Sequence, residues 1–421
     1  MKKMTTHAAR LFAIAAVLFM LQSCKKEICR NLHTYTYYVP EYKSVAEVRA
    51  NIKSNAPRQI QNPGKIYIKG NYIFLNEIDK GIHVINNSNP AAPVKLAFID
   101  IPGNVDIAEK ENTLYADFYA DLVTIDISNP QDVVVKKFVE NIFPERRYYG
   151  YTAETGKVIV NWIKKTETVN LRCDSTAFGI GGGVMYNNMD AGLASTASTA
   201  SPTGIGGSMA RFALVNNFLY SVSWDSLRVT DVSNTQDPLR ANAISLGWGI
   251  ETMYPFNDKL FIGSNTGMFI YGLQDPLRPT KLGSFTHTRT CDPVIADNTI
   301  AYVTLRSGSG CGGSFTNQMD VLDIADVLQP RLLKTYSFTN PRGLSKDGNL
   351  LFVCDGNAGL KILNAQNADA ITLIKTFPMS EANDVIAYNK IALVVAIDGL
   401  YQYDYSNPAD IKLVSKMEVQ H

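Results

Sequence analysis

Leu122-Val123-Thr124-Ile125-Asp126-Ile127-Ser128-Asn129-Pro130 is the stretch from which the fold can be read. A β-type run ends there in a turn: the Asn side chain can close an Asx turn, while Pro presets φ at about −65° for the next position. Just upstream lie Val105-Asp106-Ile107-Ala108 and Thr113-Leu114-Tyr115. The phrase returns as Phe218-Leu219-Tyr220 with Leu227-Arg228-Val229-Thr230-Asp231-Val232-Ser233-Asn234, and again as Gly81 to Pro90, Met319 to Ile324 and Gly399 to Pro408. Weaker copies run from Gly267 to Pro276 and from Gly359 to Leu363.

Each unit holds four short β-type runs separated by turn residues, the signature of a propeller blade. In the second unit the spacing predicts strand A at 105–109, B at 113–118, C at 121–127 and D at 133–139, with turns at 110–112, 119–120 and 128–131. Unit starts fall near 66, 105, 148, 210, 250, 290, 340 and 382. Once an insertion is set aside, each unit has roughly 40 residues, the size of a four-stranded blade. The expectation is an all-β propeller of eight four-stranded antiparallel blades. Seven is the alternative if the third unit, Tyr148 to Leu171, is only a decorated loop. Its clearest strand is Val158 to Ile163.

Outward from the repeats, residues 172–208 are rich in Gly, Ala, Ser and Thr and read as a flexible insertion inside the propeller of residues 66–421. Residues 24–65 read as a tether with a strand at Thr34 to Val39 and a short helix at Ser44 to Asn51. Residues 1–23 read as a lipoprotein signal: Lys2, Lys3 and Arg10 precede an apolar stretch from Leu11 to Leu21, and Leu21-Gln22-Ser23-Cys24 forms a lipobox. The expected partner is therefore a membrane, held through acyl chains on Cys24. Lys25 after the lipidated cysteine favours the outer membrane, facing the periplasm or the surface.

Leu122-Val123-Thr124-Ile125-Asp126 and its copies resemble the LVIVD-repeat family of secreted or surface β-propellers, a likeness covering most of residues 66–421. The resemblance implies the fold and a bacterial envelope setting, but no reaction. Gly272 and Asn364 stand where other copies have Asp126 or Asp231, so the Asp ladder is not constant.

Charge narrows the function classes: 40 basic against 39 acidic side chains leaves no basic footprint for nucleic acid. In a propeller blade the D–A and B–C loops open on one face, here named the top, and the A–B and C–D loops on the other. The residues expected to engage a ligand at the top of the channel are Asp106, Asp117, Arg211, Trp224, Asp292, Arg342, Asp355 and Asp384. Such a mixed ring suits a cation or a polyhydroxylated ligand, but the same carboxylates could equally hold neighbouring backbone amides. Of the aromatic residues near this face (Tyr115, Phe118, Tyr119, Trp224, Trp248, Tyr254), Trp224 in a B–C loop is expected to be exposed, and indole faces stack on sugars.

Among the cysteines that follow Cys24, Cys291 and Cys311 are expected to close a loop of ~20 residues by a disulfide worth about 3 kcal/mol. The remaining three, Cys29, Cys173 and Cys354, leave an odd count and at least one unpaired thiol. No Cys-x-x-Cys or paired-His spacing, phosphate loop or nucleophile elbow occurs, so neither metal nor cofactor is expected. The reading is a non-catalytic envelope module that binds a carbohydrate or a protein. The alternative is a carbohydrate-active hydrolase or lyase using the top-face carboxylates.

Overall fold

The computed structural model describes residues 30–144, 154–172, 205–287, 293–308 and 317–420. Seven antiparallel sheets follow one another along the chain, each with four consecutive strands, spanning 63–100, 107–139, 212–245, 250–286, 294–337, 344–377 and 382–418; the first gains a short strand at each edge, Ser54–Asn55 outside and Ile205–Gly206 inside. Blade 2 is built of Ile107–Lys110, Thr113–Phe118, Asp121–Asp126 and Val134–Val139, within two residues of the spacing-based expectation. Inner strands pack against their neighbours around the whole ring. Apolar clusters bridge successive blades, as where Ile66, Ile73 and Leu75 of blade 1 meet Ile386, Leu393 and Val395 of blade 7.

Seven blades, not eight, make the ring. The third repeat unit does form a strand, Lys157–Arg172, but this strand pairs with Arg30–Ser44 in a two-stranded sheet. The reason lies in its burial. Val158 and Ile159 are buried, whereas Ile163, Lys164, Lys165 and Glu167 are exposed, so the run lacks the apolar face that a sheet packed between two blades needs. Residues 30–41 and 161–172 belong to a separate compact unit, within which Thr34 Oγ1 and Thr168 Oγ1 lie 3.0 Å apart. The expected helix is present as Val45–Ala50, with Ser44 Oγ accepting from Glu47 N as its N-cap.

The C–D turns explain the repeated phrase. Asp126, Asp231 and Asp404 each accept from the backbone N–H two residues on, closing an Asx turn at the end of strand C. Asn129, Asn234 and Asn407 do the same one step later, so the turn is two Asx turns in series. Asn364 performs the same service for Gln366, its amide oxygen accepting in place of the carboxylate.

Past this turn, every outer strand carries one extra residue opposite strand C: Leu96, Lys136, Ala241, Leu282, Leu333, Ile374 and Val414. A bulge at that point increases the local twist and breaks the regular row of edge hydrogen-bonding groups that would otherwise template further strands.

Ring closure joins blade 7 to blade 1. Gln402, fully buried, exchanges two side-chain hydrogen bonds with Asn87 (2.8 and 2.7 Å) and donates to Pro90 O at 3.2 Å, while Ser415 Oγ donates to the same carbonyl. Ile60 pairs with Val419 and accepts from Gln420 N. Gln402→Ala strips partners from several buried polar groups at once and is expected to cost about 2–3 kcal/mol. A fall in urea midpoint with an unchanged m-value would register it.

Candidate functional site

The centre of the propeller is occupied by its own chain. Ile205–Gly206 pairs antiparallel with Pro63–Lys69, the inner strand of blade 1, in the register Ile205↔Ile68 and Gly206↔Tyr67. Ser208 and Met209 follow, both buried. Ser208 Oγ accepts from Leu344 N of blade 6 at 2.7 Å, Met209 packs among Ile66, Ile386 and Leu393, and Ala210 O accepts from Met253 N of blade 4. The end of the expected flexible insertion is thus ordered structure that ties blades 1, 4, 6 and 7 together across the channel.

The top-face carboxylates are engaged in holding this arrangement. Asp106 and Lys65, both buried, pair at 2.9 Å, and Asp106 also accepts from Arg211 N. Lys65 Nζ completes its bonding on Met209 O at 3.0 Å. Burial pulls the Lys65 ammonium below its usual pKa, with Asp106 opposing.

Carboxylates at the ends of strand B follow one rule. Each accepts from two consecutive backbone amides just ahead of the inner strand of its own blade. Glu77 takes Gln61 and Asn62, Asp117 takes Val105 and Asp106, and Asp355 takes Thr339 and Asn340. His83 and Lys361 supply the counter-groups to Glu77 and Asp355 at 2.6 and 2.5 Å. Burial works against the Glu77 carboxylate, but the bonds from His83 and the two amides prevail and hold its pKa below the usual range.

Arg342 spans blades 6 and 7 through Glu381 at 2.5 Å and Asn383. Asp384 is fully buried, with the backbone N–H of Val385 beside its carboxylate. Burial pushes its pKa well above the usual carboxylate range. Gly343 makes room for it, since a Cβ there would lie 2.0 Å from Asp384 Oδ1. Beside it, Cys354 is a free, buried thiol whose pKa burial likewise raises. Asp292, Cys291, Cys311 and Cys24 lie outside the described residues, as do Cys29 and Cys173. Among the described residues no group of three or more His, Cys, Asp or Glu is placed to hold a metal ion.

The expected ring therefore separates into two populations. Asp106, Asp117, Arg342, Asp355 and Asp384 are buried, while Arg211 and Trp224 are exposed. Of the aromatic residues near this face, Tyr115, Phe118, Tyr119 and Tyr254 are core. Trp224 is 48% exposed and Trp248 77%, the most exposed large apolar side chain among the described residues. Their loops are fastened to each other, Leu246 N donating to Asp225 O at 2.8 Å and Ile250 N to Trp224 O at 3.1 Å. Gly247 and Gly249 flank Trp248 at φ of 93° and 79°, a left-handed backbone that allows the tight loop to turn its indole outward. Two clefts of about 280 and 380 Å³ open between blades 3 and 4 and between blades 6 and 7, both lined by A–B and C–D turns on the bottom face.

Two predictions follow from the buried charges. Lys65→Met leaves Asp106 buried without its cation and is expected to cost about 3–5 kcal/mol. The double change Lys65→Met with Asp106→Leu should recover part of that loss, read by urea denaturation. Glu109, buried against Lys69, has its pKa raised by burial to about 7, with Lys69 opposing. A raised carboxyl pKa contributes stability below the unfolded value of 4.5 that is lost as pH rises through about 7. Glu109→Gln should therefore gain on the parent protein as pH rises from 4.5 through 7, measured as the difference in unfolding free energy.

Residues 63–98 and 104–140, which lie in blades 1 and 2, match the LVIVD repeat family. No curated protein matches the chain. Among solved structures, it is similar to a protein from Lactobacillus plantarum, with 12% identity over 85% of this chain and 98% of that one and a TM-score of 0.51. It is similar to the computationally designed Ika8 protein at 10% identity, 87% and 91% coverage and a TM-score of 0.51. A third is PorZ, an essential bacterial surface component of the type-IX secretion system of Porphyromonas gingivalis, at 16% identity over 87% of this chain and 40% of that one, TM-score 0.50. At these identities the likeness is one of fold alone. The chain is a seven-bladed β-propeller whose first two blades match the LVIVD repeat.

Proposed function

We propose that this protein is a lipid-anchored binding module of the cell envelope that engages its partner on the top rim at Trp224 and Trp248 rather than inside the channel. The observation that carries the reading is the pair of exposed tryptophans on loops fastened to each other by two backbone hydrogen bonds. Keeping two indoles in water is unfavourable by the ordinary logic of apolar burial, and an ordered, exposed pair is typical of a recognition surface. A fold alone decides no function, so the reading rests on this site. The channel offers less, because Ser208 and Met209 occupy it and Asp106, Asp117 and Asp355 are committed to Lys65, Lys361 or backbone amides. Among the described residues the channel acids Asp106, Asp117, Asp355 and Asp384 are all buried, which does not favour hydrolytic acid–base work there. The lipobox at Leu21 to Cys24, followed by Lys25, supports outer-membrane anchoring.

Co-sedimentation with delipidated envelope fragments tests the rim. The Trp224→Ala/Trp248→Ala protein is expected to lose binding, and Asp384→Asn to keep it. The reverse pattern would place the site in the channel and defeat the proposal. In cells, Cys24→Ser is expected to leave the membrane fraction, and its retention there would defeat the lipid anchor.

A further inference from the structure

We infer that the Trp224–Trp248 rim is a glycan-binding site, taking a neutral, unbranched run of pyranose units laid across the two indoles. The inference rests on the rim reading above and gives it a ligand class. The two loops fix the indoles on neighbouring turns of blades 3 and 4, so they can meet successive rings of one chain without first being ordered. A pyranose ring presents apolar C–H faces to stack on an aromatic plane and hydroxyls around its edge that need donors and acceptors.

The neighbours of the indoles match that edge. Asp225 sits beside Trp224 in the same turn, with Ser223 and Ser226 around it, and exposed Arg211 belongs to the same end of blade 3, where Val222 N donates to Arg211 O. Arg211 and Arg228 stand against Asp225 and Glu251 at this end of the blades, a balanced set with no basic cluster, which disfavours a polyanion or an anionic lipid surface, both of which call for clustered basic groups. A protein interface is also a poorer fit. It needs an apolar centre around its hot spots, and the residues next to these tryptophans are Ser223, Asp225, Gly247 and Gly249.

The test is a tryptophan-fluorescence titration of the whole mature chain with hexasaccharides of glucose, mannose and N-acetylglucosamine. At least one should give a saturable shift that is unchanged over a tenfold range of salt. Trp248→Ala or Trp224→Ala should weaken it about tenfold or more, with Trp248→Phe partly restoring it. Circular dichroism of the variants confirms that the propeller is intact, since both side chains project into solvent. Absence of a shift with all three sugars overturns the glycan assignment, as does equal affinity of the double alanine variant or a steep loss of binding with salt. If envelope binding still depends on the tryptophans while no sugar binds, the glycan assignment fails and the rim survives. If envelope binding ignores the tryptophans, the rim reading itself fails.

Discussion

At five of the seven junctions blades hold their neighbours through one backbone carbonyl in the C–D turn, and the ring depends on its placement. Pro130 O accepts from Ser54 Oγ, Thr235 O from Tyr115, Pro276 O from Tyr220, Ala368 O from Tyr336, and Pro90 O from Gln402 and Ser415. In each case the donor lies in the preceding blade or in the strand added to its outer edge. The acceptor is the residue after the turn's second Asx residue, an Asn in four of them and Asp275 in the fifth, because the serial Asx turns aim that carbonyl at the neighbour. In blade 4 Gly283 takes the donor's place, and a Cβ there would lie 2.1 Å from Val327 O. A small residue lets the backbones approach where no side chain reaches across.

This division of labour frees one face. The bottom turns hold blades together, and the carboxylates at the ends of strand B fasten the top loops onto their own blades. Segment 205–210 then closes the channel from within. Among the described residues, the two tryptophans are the most exposed large apolar side chains in the top loops, which is why the proposed recognition site is placed there rather than on the more conspicuous ring of acids.

Much of this was legible in the repeated phrase. The four strands of blade 2 could be placed to within two residues because apolar runs and turn residues alternate there without ambiguity. The third unit misleads for a local reason. Val158 to Ile163 has the composition of a blade strand, yet the exposed Lys164, Lys165 and Glu167 that follow show a run with no buried face. Trp224 was identifiable as exposed from its B–C loop, whereas Trp248 was hidden in a D–A loop whose glycines give no hint of which way an indole points. The fastening role of Asp117 and Asp355 could have been inferred from hairpin geometry, since the end of strand B lies opposite the start of strand A.

The sequence by itself determined the blade, its turns and the repeat, because these rest on contacts between residues close along the chain: alternating burial, Asx turns and hairpin register. Only the tertiary structure decided the number of blades, the filling of the channel and the fate of the acids. Those depend on pairings such as Ile205 with Ile68, Gln402 with Asn87 and Lys65 with Met209, which join residues far apart in sequence. No local pattern encodes such a partner, and the choice is made by which buried polar groups can be satisfied once the ring closes.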